Sequence, residues 1–276
     1  MSRRKTIEQK RSNTRSSDHY SCASDLRVEA EKLNEGTRTG QPFMSGPLRS
    51  IKTLRVAQHD LSTEDVDLLF ESDLQIDTET DGLDFRRDRL RLVTIEDLNG
   101  NVVMVRNPDH KSTLLNEFLT DNHLKVFHHA PFDVSFIYWW TGARLREDSV
   151  LCTKIICKLL RPKESSALYK VIPEVLGVNP YKEKSTTLSN WNNKKLTAEQ
   201  ITYACTDVHF LADIVAKLQV KGSKESKTRD YKNTCIAATL SAFVNVEGNS
   251  DCLSYEGQPN LKLRQLWEKR KRVMRP

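Results

Sequence analysis

The chemistry of this chain starts at Leu74-Gln75-Ile76-Asp77-Thr78-Glu79-Thr80-Asp81-Gly82-Leu83, where a short apolar run delivers two carboxylates and then breaks at a glycine. On a strand, successive side chains alternate faces, so Asp77 and Glu79 project from the same side. Two like charges on one edge repel unless a cation lies between them, and acid oxygens suit hard Mg2+ or Mn2+. An isolated D-x-E is more often a solvated strand edge, so distant acids must decide. Asp133 supplies one, two residues after Pro131, in the first turn of an expected helix where the N-terminal dipole favours a carboxylate. Tyr203 and Asp207 supply the rest, four apart on one face of a later helix. Four acids and one phenol are thus available, although each of the later pieces alone would read as ordinary packing or dipole complementation.

These residues need elements to hold them. Order is expected from Ile51, with a strand at Leu54–Ala57 and a helix opened by Ser62-Thr63-Glu64-Asp65 and ending near Phe70. The strand Leu74–Asp77 follows. Arg89–Glu96 and Asn101–Val105 alternate around Asn99-Gly100, a strong hairpin signal, so three successive strands should form an antiparallel meander. A helix over Lys111–Leu119, a strand at Leu124–His128 and a helix over Phe132–Trp140 closed by Thr141-Gly142 come next. A short segment near Ser149–Val150 leads to a helix through Leu160. Ser165/Ser166 should cap another, stopped by Gly177. Residues 178–194 read as loop around a Trp191 anchor. Thr197 and Gln200 form a capping box for a long helix to about Leu218. After a linker over Lys221–Arg229, a helix over Tyr231–Phe243 is expected. The meander followed by strands alternating with helices predicts α/β layering.

Composition bounds the rest. The 276 residues suit one main domain with extensions. Six cysteines without a CxxC fit reduced thiols better than a disulfide or zinc framework. No run of about 18 apolar residues is present, and the first thirty residues lack an apolar signal core, so a cytoplasmic protein with no membrane partner is expected. Charge is uneven: residues 1–50 hold ten Lys/Arg against six Asp/Glu, residues 51–220 hold 21 against 25, and residues 221–276 hold 12 against six. Basic ends around a mildly acidic middle are compatible with polyanion-seeking tails on a cation-binding core, and equally with tails kept for solubility. Residues 1–50 read as a disordered basic leader with one short helix around Asp25–Leu33, residues 51–220 as the working domain, and residues 221–276 as a partly helical basic extension ending in the Lys269–Arg272 run.

The order of the acidic stretches resembles the three motifs of the DEDD 3′–5′ exonucleases: Asp77-x-Glu79 after a strand, His129-Ala130-Pro131-Phe132-Asp133, and Tyr203-x-x-x-Asp207. Tyr203 four before Asp207 looks like the tyrosine branch that includes ribonuclease D, since Thr202 stands where the other branch wants His. Within that branch the chain is similar to nano-RNase C, a small oligoribonuclease. The shared strings are Asp77-Thr78-Glu79-Thr80-x-Gly82-Leu83, Arg87-Asp88-Arg89-Leu90, Phe127-His128 ahead of Phe132-Asp133, Cys152-Thr153-Lys154-Ile155, Lys184 with Ser189-x-Trp191, and Tyr203-Ala204-x-x-Asp207. His129 departs, standing where many relatives carry Asn.

This resemblance implies a ribonuclease H-like three-layer α/β fold, with a mixed sheet of an antiparallel meander followed by parallel strands, flanked by helices. It implies two divalent ions, Mg2+ or Mn2+, stabilising the attacking and leaving oxygens of a phosphodiester. Asp77 would bridge both ions, Glu79 and Asp207 would complete the first, Asp133 would hold the second, and Tyr203 would orient the attacking water. Leu83 is implied as a wedge between bases. Thr80 and His129 are further candidate substrate contacts, His128 either meets a substrate phosphate or fills the strand end, and Lys184 either meets the polyanion or is a solvated loop residue. The implied partners are RNA 3′ ends or short oligonucleotides, with DNA open as an alternative, and a homo-oligomer. Two rival functions stay open: an exonuclease on DNA or longer structured RNA, and a non-catalytic nucleic-acid-binding scaffold that keeps the fold.

Overall fold

The computed structural model describes residues 50–70, 72–180, 189–221 and 225–248. The leader with its Asp25–Leu33 helix, Lys184 and the Lys269–Arg272 run lie outside the described residues.

Six strands form one mixed sheet in the order β1-β4-β3-β2-β5-β6. They are β1 (Thr53–Gln58), β2 (Leu74–Thr80), β3 (Leu90–Asp97), β4 (Asn101–Arg106), β5 (Lys125–Phe127) and β6 (Val150–Cys152). The expected meander is present: β2 pairs antiparallel with β3, placing Asp77 opposite Thr94 and Glu79 opposite Leu92, and β3 pairs antiparallel with β4. Parallel strands close both edges, β1 on β4 and then β5 on β2 and β6 on β5. A register irregularity between Glu79 and Thr80 shifts the pairing just past the acids, and the ladder closes on Thr80 opposite Leu90.

Alternation in β3 and β4 decides which helices lie where. Leu92, Val102 and Met104 face one side and pack with Ile201, Ala204 and Cys205 of helix α6 (Ala198–His209) and with Trp191. Val93, Ile95, Val103 and Val105 face the other side and join the larger core. That core also takes side chains of α1 (Thr63–Leu69), α2 (Thr113–Thr120), α3 (Ala130–Thr141) and α4 (Thr153–Leu160). Both faces of β3 are therefore buried, and the sheet is the middle of three layers.

Local chemistry fixes the element ends. Ser62 caps α1 and Thr197 caps α6, each in a reciprocal capping box, with Asp65 and Gln200 at the third position. Gly142 ends α3 at φ +82°, a left-handed conformation that a side chain would resist.

Four expectations need correction. Val150–Cys152 is a strand, too short to show periodicity. Neither Ser165 nor Ser166 is the cap of the helix before Gly177: Ala167 occupies that position, α5 spans only Leu168–Val171, and a π-turn over Ile172–Leu176 with Pro173 near its start carries the chain to Gly177. The long helix to Leu218 is two helices, α6 and α7 (Leu211–Lys221), broken at Phe210. Buried side chains from the sheet hold the break: His209 Nδ1 lies 2.7 Å from Glu96 Oε1, and the Ala212 N–H donates to Gln75 Oε1 at 2.8 Å. Last, α8 runs over Glu225–Val246, so the stretch from 225 to 229 expected as linker is already helical. It packs along α3, with Tyr231, Cys235, Ala238 and Phe243 in the main core.

Candidate metal centre and nuclease site

The odd-numbered side chains of β2 face α6. On that face Gln75 holds the α6–α7 junction, and Asp77 and Glu79 meet Asp207 across the gap. One carboxylate oxygen from each of these three acids lies within 4.8 Å of the other two. Tyr203, one turn before Asp207 on α6, shares their cleft and hydrogen-bonds with Asp207. The ring of Trp191 lies 6.2 Å from that of Tyr203 and backs it, which gives the expected anchor a site role.

Asp133 approaches from the other face. It lies in the first turn of α3, and the even-numbered Thr78 donates from Oγ1 to its Oδ1 at 2.7 Å. Asp133 therefore lines the same cleft without joining the three-acid triangle. Thr78 was not singled out from the sequence, although strand alternation already placed it opposite to Asp77 and Glu79.

The electrostatics of the acids run one way. Burial, then the neighbouring carboxylates, holds Asp77 and Glu79 well above the usual carboxylate range. Burial lifts Asp133 to about 7 against the opposing bond from Thr78. Two unit charges about 5 Å apart repel by roughly 3 kcal/mol at an effective dielectric of about 20. No basic side chain among the described residues forms an ion pair with Asp77, Glu79 or Asp133 to offset this. Oxygen-only donors set this close together fit hard divalent ions. For Tyr203, burial and then Asp207, Glu79 and Asp77 push the phenol far above its ordinary value, so it stays protonated at neutral pH.

The cleft measures about 260 Å3 and is walled by His128, His129, Phe132, Leu168, Tyr169, Ile172 and Pro180. Tyr169, half exposed at its lip, carried no signal in the sequence. His129 stacks nearly parallel to Phe132 at 6.3 Å, and burial lowers it to about 4, so it stays neutral. His128 is lowered by burial to about 3, with Nε2 2.9 Å from the Ser166 carbonyl and Nδ1 2.8 Å from Thr153 Oγ1. Both of its nitrogens are thus engaged within the protein. Thr80 Oγ1 donates to the Gly82 carbonyl at 2.5 Å and secures the turn. Leu83 beyond that turn is 85% exposed, so packing does not account for it.

The family profile described as 3′-5′ exonuclease matches residues 57–223. The chain belongs to the 3′-5′ exonuclease family. All five motif residues of this exonuclease lie within the match. Over 104 residues the exonuclease is 29% identical to ribonuclease D of Nitrobacter hamburgensis, a stretch covering 38% of this chain and 26% of that relative. It thus spans about a quarter of that curated relative's length. The Brucella melitensis NrnC structure superposes with a TM-score of 0.65 at 27% identity, covering 74% of this chain and 99% of NrnC. NrnC has been solved with bound Mg2+ and bound to pGG. Escherichia coli RNase D, at 21% identity and a TM-score of 0.55 over 65% of this chain and 46% of its own, shares the fold. The ribonuclease H-like mixed sheet with flanking helices is the fold of these neighbours.

Proposed function

We propose that this exonuclease is a 3′–5′ exoribonuclease, dependent on two Mg2+ or Mn2+ ions, that hydrolyses short RNA to nucleoside 5′-monophosphates. The observation that carries this reading is the convergence of Asp77, Glu79 and Asp207 beside a protonated Tyr203 in one cleft, with Asp133 on its far wall. Asp77, Glu79 and Asp207 would hold one ion, and Asp133, with Asp77 between them, the second. Bound there, divalent ions supply charge stabilisation to the attacking and leaving oxygens of the phosphodiester.

Tyr203 positions rather than deprotonates. Its O–H donates toward the carboxylates, leaving an oxygen lone pair to orient the attacking water. Leu83 and His129 are the substrate contacts carried forward, and His128 braces the end of β5. Lys184 lies outside the described residues. A homo-oligomer and a cytoplasmic location complete the reading. No helix among the described residues is long and apolar enough to cross a membrane.

The reading is tested with purified protein, Mg2+ or Mn2+, and 5′-labelled RNA of about two, seven and twenty nucleotides beside matched DNA; these lengths span less and more than one single-strand site. Shortening from the 3′ end that favours short RNA is the expected result. Equal action on DNA would reassign the substrate, and a folded protein that cuts none of them would sustain the scaffold reading. Tyr203→Phe, which keeps the ring against Trp191, should lower kcat about 10²-fold with KM nearly unchanged, because a misplaced water costs rate rather than binding.

A further inference from the structure

The loop between β2 and β3, residues 81–89, leaves the acid-bearing strand at the cleft and is pinned along its length. Trp140 Nε1 donates to the carbonyls of Phe85 at 3.0 Å and Asp88 at 2.9 Å. The Asp84 N–H donates to Asp88 Oδ2 at 2.8 Å, and Arg86 Nη2 donates to the Asn245 carbonyl of α8 at 2.9 Å.

On its outer side this rigid loop carries guanidiniums laid over rings. Arg86 Cζ lies 5.1 Å from the Phe85 centroid, and Arg89 Cζ lies 5.4 Å from that of Trp140. Trp139, 36% exposed, meets Phe85 edge-on at 5.7 Å. Arg87 is paired with Asp84, whereas neither Arg86 nor Arg89 forms an ion pair with a carboxylate among the described residues. Both are exposed. Asp133 and Trp139 lie on the same helix six residues apart, about 9 Å along its axis. None of Arg86, Arg89 and Trp139 lines the cleft, and the loop that carries the arginines begins directly after Thr80, at the end of the acid-bearing strand.

A single-stranded nucleic acid offers what this surface lacks: phosphates for the guanidiniums and base faces for the exposed indole. Residues 249–276 follow the end of α8 beside Arg86, yet hold seven Lys/Arg against three Asp/Glu, the same sign as the patch. Resting on the exoribonuclease reading, we propose that Arg86, Arg89 and Trp139 form an accessory site for nucleotides on the 5′ side of those held in the cleft. The site selects oligoribonucleotides longer than a dinucleotide.

The test measures binding of 5′-fluorescein-labelled dinucleotide and heptanucleotide RNA to the full chain in Ca2+, followed by cleavage in Mg2+. An Arg86→Ala/Arg89→Ala protein should bind the heptanucleotide about tenfold or more weakly, with the dinucleotide within about twofold. Its slope of log Kd against log salt should fall by about 1.4, for two single-strand phosphate contacts. Trp139→Ala should weaken the heptanucleotide by roughly 5- to 100-fold through a lost base stack. Arg89→Lys guards against misfolding: it should keep the salt slope. Equal losses at both lengths, or none at the heptanucleotide, overturn the proposal. So does a change in molar mass by light scattering, which would assign the patch to contact between copies of the chain. Patch-dependent binding without any cleavage would leave this site standing and sink the exoribonuclease reading, whereas cleavage indifferent to the patch would do the reverse.

Discussion

Asp77→Asn should abolish metal-dependent cleavage, by about 10³-fold or more, while making the metal-free protein more stable. The two effects have one cause. Asp77 shares the cleft with three other acids, and after burial Asp133, Asp207 and Glu79 each raise its pKa further. Asparagine is nearly isosteric and removes the negative charge that a divalent ion needs. It also relieves about 2 kcal/mol of repulsion, which for a domain of this size raises Tm by roughly 4–8 °C in EDTA. Cleavage of labelled RNA and calorimetry check both halves. A variant that loses activity and also Tm without metal would show that Asp77 holds the fold rather than an ion.

The second large effect is a dependence of metal-free stability on pH. Asp133 has a folded pKa of about 7 against an ordinary 3.8, so between those values the folded chain binds more protons than the unfolded one. Stability from this group is fully present below the lower value and falls as pH rises through the window to about 7. About three units correspond to a loss on the order of 4 kcal/mol. Asp77 and Glu79 act in the same direction. Mg2+ at a hundred times its Kd should restore about 2.7 kcal/mol at neutral pH. The check is the difference in Tm between wild type and Asp133→Asn, which should widen in favour of the variant from pH 4 to pH 7 and shrink on adding Mg2+. A difference constant with pH would refute the assignment.

Much of this was legible in the sequence because it is local. Alternation put Asp77 and Glu79 on one face, helical spacing put Tyr203 and Asp207 on another, and the Ser62 and Thr197 capping boxes marked two helix starts that the structure keeps. What stayed hidden depends on partners far away in the chain. Nothing near Phe210 announces a break, since its cause lies in Gln75 and Glu96, more than a hundred residues earlier. Thr78 looked like strand filler until α3 brought Asp133 beside it. In the sequence Arg89 stood out only as the start of a strand and part of a shared string, and Arg86 not at all, because their guanidiniums come to lie over rings only in the fold.

The break at Phe210 also makes the two walls of the cleft unequal. Had the helix run on to Leu218, Asp207 would lie mid-helix, beside carbonyls already bonded to the next turn. Because α6 ends at His209, Asp207 sits in its last turn, where the partial negative charge of a helix C-terminus adds to that of Asp77 and Glu79. Asp133 sits at the opposite kind of end, in a first turn whose exposed N–H groups already favour an anion. One wall of the cleft therefore attracts cations strongly and the other only weakly. On the proposed two-ion reading, the Asp207 side should fill first and tightly, and the Asp133 side when a substrate phosphate arrives with charge of its own.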